Sequence, residues 1–111
     1  MKAFTDDEMN ELLPTAKPYS LVFLKPGPNC GDDTAPALIW EHGRRNFGLR
    51  DTGMMAAAFT VLDGSDVWAV RAFTGTVDDT TAIMNEDPSV AAGVLTFEVH
   101  PCRGFAGNSL P

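Results

Sequence analysis

The chain has 111 residues, 44% hydrophobic and 21% charged, which suits one folded domain with a single modest core. Eight basic residues against fifteen acidic ones leave a net charge of −7, which argues against a nucleic-acid partner, because phosphates need a clustered basic surface. No apolar run approaches the ~20 residues that span a bilayer, and MKAFTDDEMNELL carries acids where a secretion signal has a positive end and an apolar centre. A cytoplasmic protein that does not insert in membranes is expected.

In chain order, Thr5 followed three residues later by Glu8 is a capping-box pattern, and Met9, Leu12 and Leu13 form a short apolar stripe that Pro14 ends. YSLVFLK (19 to 25) predicts a strand, and PGPNCGDD (26 to 33) is turn chemistry. From Ala35 to Asp51 the spacing is helical, with Pro36 in the first turn and Gly53 past the end. MMAAAFTV (54 to 61) and VWAVRAF (67 to 73) flank LDGS and predict a hairpin. Val77 to Glu86 predicts a second helix, with Thr76 as N-cap and Asp78 and Asp79 where the helix dipole favours them. GVLTFEV (93 to 99) predicts the last strand, and the chain from Cys102 onward reads as an irregular tail. This divides the domain into a helical arm (1 to 17), a core (18 to 101) and a tail (102 to 111).

After the leading helix the order is strand, helix, strand, strand, helix, strand. That is the split βαβ pattern of an α+β, ferredoxin-like sandwich with both helices on one face of the sheet. Such a sheet is apolar on one face only unless something covers the other. Here both parities are largely apolar: Leu21 and Phe23 against Val22 and Leu24, and Val67 and Phe73 against Trp68 and Val70. A homodimer through the open sheet face is expected; the alternative is that the leading helix and tail fold over that face.

The two cysteines, Cys30 and Cys102, lack C-x-x-C spacing and are expected to be free thiols. Asp32, Asp33, His100 and Cys102 fall at no recognised metal-ligand spacing, and no nucleotide cradle is visible, so no metal or other cofactor is expected.

In PALIWEHGRRNFGLR (36 to 50), with about 100° per residue, Leu38, Ile39, Trp40, Phe47 and Leu49 fill a broad apolar arc. Glu41, Arg44, Arg45 and Asp51 fall outside it. His42, Asn46 and Arg50, at i, i+4 and i+8, run in one line inside the arc. Ionisable groups on a buried face need partners or a cavity, so the line reads either as a polar ligand site or as groups hydrogen-bonded to loops and tail. A histidine acting as acid or base needs a partner to orient it. In a split βαβ fold the end of the second helix can approach the first, which makes Asp87 the candidate. Its other reading is a helix stop forced by Pro88.

With His42 early in the first long helix, Gly53 eleven residues later and DPSVAAGV leading into the last strand, the chain resembles the YciI-like (YCII-related) family of the dimeric α/β-barrel superfamily. The resemblance covers about Tyr19 to Pro101. It implies a ferredoxin-like protomer, a dimer with facing sheets, and His42 and Asp87 as an acid-base pair. Relatives act in the breakdown of chlorinated or oxygenated aromatic compounds, and some members look like non-catalytic domains attached to regulators. Where the family usually has glycine-proline, this chain has Phe59 and Thr60, so Phe59 is expected to reshape any pocket.

Two functions are carried forward. One is a cofactor-free isomerase or lyase working by His42–Asp87 proton transfer on a small oxygenated or ring-containing acid, held by Asn46 and Arg50. The other is a non-catalytic small-molecule-binding or dimerisation module, whose ligand carboxylate would select the same side chains.

Overall fold

The computed structural model describes residues 1–111. Helix α1 (Asp6–Leu12) and a 3-10 turn (Leu13–Thr15) lead into strand β1 (Ala16–Pro26). There follow α2 (Ala35–Asp51), β2 (Met55–Thr60), β3 (Ala69–Phe73), α3 (Val77–Asn85), the single turn α4 (Pro88–Ala91) and β4 (Leu95–Phe105). All neighbouring strands are antiparallel and lie in the order β2-β3-β1-β4, the arrangement of a ferredoxin-like sheet.

Local chemistry starts each helix. The Thr5 hydroxyl accepts from the Glu8 amide while the Glu8 carboxylate accepts from the Thr5 amide, closing the capping box on α1. Thr76 caps α3 by accepting from the Asp79 amide at 3.1 Å. Past α2, Gly53 takes a φ of +81°, the left-handed conformation that closes many helices.

The register fixes which residues share a face. Val22, Leu24, Met55, Ala69, Phe73 and Leu95 point to the helix side and pack with Ala35, Met84 and Val94 into the core. The opposite face carries Leu21 and Phe23 of β1, Val70 and Ala72 of β3, and Ala57 and Phe59 of β2. Towards β4 it turns polar, with Thr96, Glu98 and His100 opposite Lys25, Phe23 and Leu21. α1 does not cover this face: it buries no residue, and Met9, Leu12 and Leu13 remain 42%, 46% and 54% exposed.

The β1–β4 ladder is longer than expected. Ala16 pairs with Phe105 and Tyr19 with Cys102, so PCRGF, read as irregular, is strand, and the tail begins after Phe105. Pro101 and Gly104 disguise it in the sequence. They are tolerated because β4 is an edge strand and β1 has a single neighbour at residues 16 to 19, where Pro18 sits. The molecule measures 56 Å along its long axis.

One close backbone contact ties the end of β1 to the turn before β4. The Gly27 amide donates to the Val94 carbonyl and the Asn29 amide to the Gly93 carbonyl, both at 2.9 Å, and Asn29 Nδ2 donates to the Ala92 carbonyl at 2.9 Å. A β-carbon on Gly27 would lie 2.1 Å from the Gly93 oxygen, and Gly93 itself sits at φ +72°. Gly27→Ala is therefore expected to destabilise the protein by about 1–3 kcal/mol, the usual cost of overpacking. Gly48→Ala, in α2 with nothing within 4 Å of the new carbon, should stabilise by up to ~1 kcal/mol through helix propensity. Denaturant melts of the two variants against wild type check the contrast.

Candidate functional site

α2 meets the sheet with a polar line at its centre. His42 is its most buried side chain apart from Ala35, and Leu38, Arg45, Asn46 and Leu49 flank it half-buried. The expected arc is thus only partly right. Trp40 and Phe47 are 71% and 70% exposed, while Arg45, placed outside the arc, tucks in towards α3. The reason is specific pairing: the acceptors that α3 and α4 present outweigh the average apolarity of the helix surface. Arg45 Nη2 donates to the Ile83 carbonyl at 2.6 Å, and its Nη1 lies 3.8 Å from Asp87 Oδ2.

Asp87 has two structural jobs. α3 ends at Asn85, and Pro88, which forces Asp87 into an extended conformation (φ −71°, ψ 124°), opens α4 as its first residue. Asp87 is the N-cap of α4, so the helix-stop reading captured half of its role. Its Oδ1 accepts from the Ser89 amide at 2.9 Å and from the Ser89 hydroxyl at 2.6 Å. The other oxygen is thereby aimed at α2, where Oδ2 stands 2.6 Å from His42 Nδ1.

Asp87 and Ser89 are completely buried and His42 nearly so. Burial pushes the Asp87 carboxyl up, but the hydrogen bonds from His42 and Ser89, with the attraction of the imidazole, outweigh it and hold the group down to about 2. Asp87 is therefore a fixed carboxylate at any physiological pH.

On the other side of the ring, Asn46 Nδ2 lies 3.0 Å from His42 Nε2. An amide N–H there makes Nε2 the acceptor, so Nδ1 carries the ring proton and donates it to Asp87. The order Ser89, Asp87, His42, Asn46 forms one continuous hydrogen-bond chain from α4 to α2.

Two neighbouring cavities lie between α2 and the sheet. The larger, about 330 Å³, is lined by Asn46, Phe47, Arg50, Met55, Ala58 and Arg71, among others. The smaller, about 170 Å³, is bounded by His42, Ile39 and Trp68. Thr60 and Arg71 line both, which joins the histidine to the larger space. Arg50 is exposed at its edge, 6.0 Å from the Phe47 ring, and also borders a groove formed by β2 and Asn108–Leu110 of the tail.

Of the line expected from the helix wheel, His42 and Asn46 touch and Asp87 joins them, while Arg50 is exposed and stands apart at the rim. Phe59 does not narrow the cavity next to His42. It pairs with Val70 and points to the opposite face, where it lines the groove between β2 and the tail, while Thr60 takes the inward position.

Three contributors had not been singled out. Ser89 was signalled by the Asp-Pro-Ser order of an N-cap, Thr60 by its parity on β2, and Arg71 by a lone charge inside WAVRAF. Arg71 is 8% exposed and faces the helices beside Ala58 and Val22. Its Nη1 donates to the carbonyls of Phe59 and Val70, and its Nε is buried with no partner.

No known family model matches the chain, and no curated protein matches it in sequence.

The carboxylate makes stability depend on pH in a set direction. A folded carboxyl held from 3.8 down to about 2 adds about 2 kcal/mol above pH ~4, lost progressively as pH falls towards 2. Urea melts of wild type and Asp87→Asn across pH 2 to 6 should show this increment in the wild type alone; parallel pH profiles would refute the coupling.

Proposed function

We propose that His42 and Asp87 are the acid-base pair of a cofactor-free enzyme of isomerase or lyase type, acting on a small oxygenated or ring-containing acid. The observation that carries this reading is the buried 2.6 Å contact between Asp87 Oδ2 and His42 Nδ1, beside a cavity that His42 helps to line. Asp87 holds the tautomer with Nδ1 protonated and stabilises the imidazolium that forms when Nε2 takes a substrate proton. Asn46 and Arg50 contact the substrate's oxygens. The resemblance to YciI-like proteins points the same way, since it puts the acid-base pair at these two positions.

Asn46 adds a requirement. Nε2 has one lone pair, and the Asn46 amide occupies it. Substrate must displace that N–H before Nε2 can act as base, and a turned amide then offers its oxygen to the newly protonated nitrogen. The same contact favours the second reading, a non-catalytic binding or dimerisation module, in which the ring is a structural acceptor throughout.

In either reading the protein assembles as a homodimer through the open sheet face, as a dimeric α/β barrel. The support is the row Leu21, Phe23, Val70, Ala72 and Phe59, half-buried to exposed apolar residues on one face that α1 leaves uncovered, with residues 108–110 of the tail beside Phe59. Sedimentation velocity should give a dimer for wild type and a monomer for Phe23→Glu; a monomeric wild type would overturn the assembly.

For the chemistry, solvent deuterium exchange into a panel of small keto, hydroxy and lactone acids, followed by NMR, tests proton transfer directly. Wild type is expected to label at least one C–H position. His42→Gln should lower that rate by about 10²–10⁴, and Asp87→Asn should lower it as well. Exchange in no compound, or exchange indifferent to His42, returns the protein to the binding-module reading.

A further inference from the structure

The cavity between α2 and β2–β3 holds a cation that no carboxylate of the protein answers. In a chain with 15 carboxylate side chains and 8 lysines and arginines, Arg71 forms no ion pair, although it is the most deeply buried of those eight. Arg45 makes the contrast: more exposed than Arg71, it reaches both Glu86 and Asp87 at 3.8 Å. Arg50, on the edge of the same cavity, also has no carboxylate partner.

Arg71's two hydrogen bonds both leave from Nη1 and end on backbone carbonyls, with Nε buried and unpaired. A guanidinium buried without a counter-charge, and with one N–H unpaired, is costly even when carbonyls take its other protons. Holding β2 to β3 does not require it, because the strands already pair from Met55 to Thr60. Beyond the two arginines the wall is mixed: Phe47, Met55 and Ala58 offer an apolar surface, and Asn46 and Thr60 are neutral hydrogen-bonding groups beside it.

We propose that Arg71 is the anchor for a ligand carboxylate, and that the natural ligand is a small organic monocarboxylate with a compact apolar or aromatic body. Its carboxylate lies against Arg71, with Arg50 closing over it from the rim. Its body contacts Phe47, Met55 and Ala58. A space of about 330 Å³ has room for such a molecule, at the small end of ligand cavities. This rests on the proposed function for the role of His42 but not for binding itself. Because Arg71 and Thr60 border both cavities, a carboxylate on Arg71 leaves the atoms next to it on the side of His42.

The probe is benzoate, with benzamide as its uncharged counterpart, titrated into the full-length protein by ¹H–¹⁵N NMR. Benzoate is expected to shift the amides of residues 46–50, 58–60 and 71 saturably and to move the Arg71 Nε–H resonance, assigned through its absence in Arg71→Lys. Benzamide should bind at least tenfold more weakly. Arg71→Gln should weaken benzoate by about ten- to hundredfold, the worth of a hydrogen bond to a charged group. If Arg71→Gln does not fold, the wild-type Nε–H signal and the benzoate-to-benzamide ratio decide.

Equal binding of the two probes, an Nε–H signal unmoved at saturation, or no saturable benzoate binding overturns the proposal. His42→Gln separates it from the acid-base reading: it should keep benzoate binding while losing deuterium exchange. Exchange without an Arg71 effect refutes only the anchor; benzoate binding without exchange refutes only the catalysis.

Discussion

A carboxylate with no access to water, held 2.6 Å from an imidazole, is the constraint around which the helical layer is arranged. Neither group is tolerable there alone: an unpaired buried Asp87 or a buried His42 with an empty Nδ1–H would carry the full desolvation penalty. Together, with Ser89 on the second carboxylate oxygen and Asn46 on the second ring nitrogen, every polar atom of the pair is answered. The rotation of α2 follows from this. His42 goes inward and takes Arg45 and Asn46 with it, and Trp40 and Phe47 are turned to the surface as a consequence.

The pair in turn depends on where α4 is held. A single helical turn has too few internal hydrogen bonds to stand alone, so its position comes from its ends. Asp87 caps one, and the Gly27–Asn29 segment grips the other through Ala92, Gly93 and Val94. Two glycines make that grip possible, one by close approach and one by its positive φ. The Asp87 carboxylate, 45 residues from His42 along the chain, is thus located by contacts between residues 27–29 and 92–94.

Much of this was legible in the sequence because it was written in local chemistry. Thr5 and Thr76 announced their helices, the alternation of strand and helix gave the sheet order, and His42 and Asn46 stood four residues apart on one face. What was not legible depended on long-range pairing. Phe47 and Trp40 looked like core because a helix wheel credits apolar residues and has no means of knowing that an aspartate waits opposite a histidine. Pro88 was visible as a terminator but not as an initiator, since one proline satisfies both roles. Arg71 carries no signal of its own beyond a lone charge in an apolar strand, and only its register with Val22 and Ala58 puts it under α2. Residues 101 to 105 looked irregular until the early start of β1 supplied their partner.

The pairing of β1 with β4 carries a consequence for how the molecule comes to be folded. Ala16 meets Phe105 and Pro26 meets Leu95, so the central strand cannot complete its ladder until nearly the whole chain is present. Closing loops of that length is slow relative to forming the hairpin between β2 and β3. On a ribosome the first strand emerges early and must wait, its edge open, for the last. The grip of Gly27 on Val94 closes in that same final step, and with it the position of α4. His42 therefore acquires its carboxylate only as the sheet is finished, which makes the assembled pair a marker of complete folding.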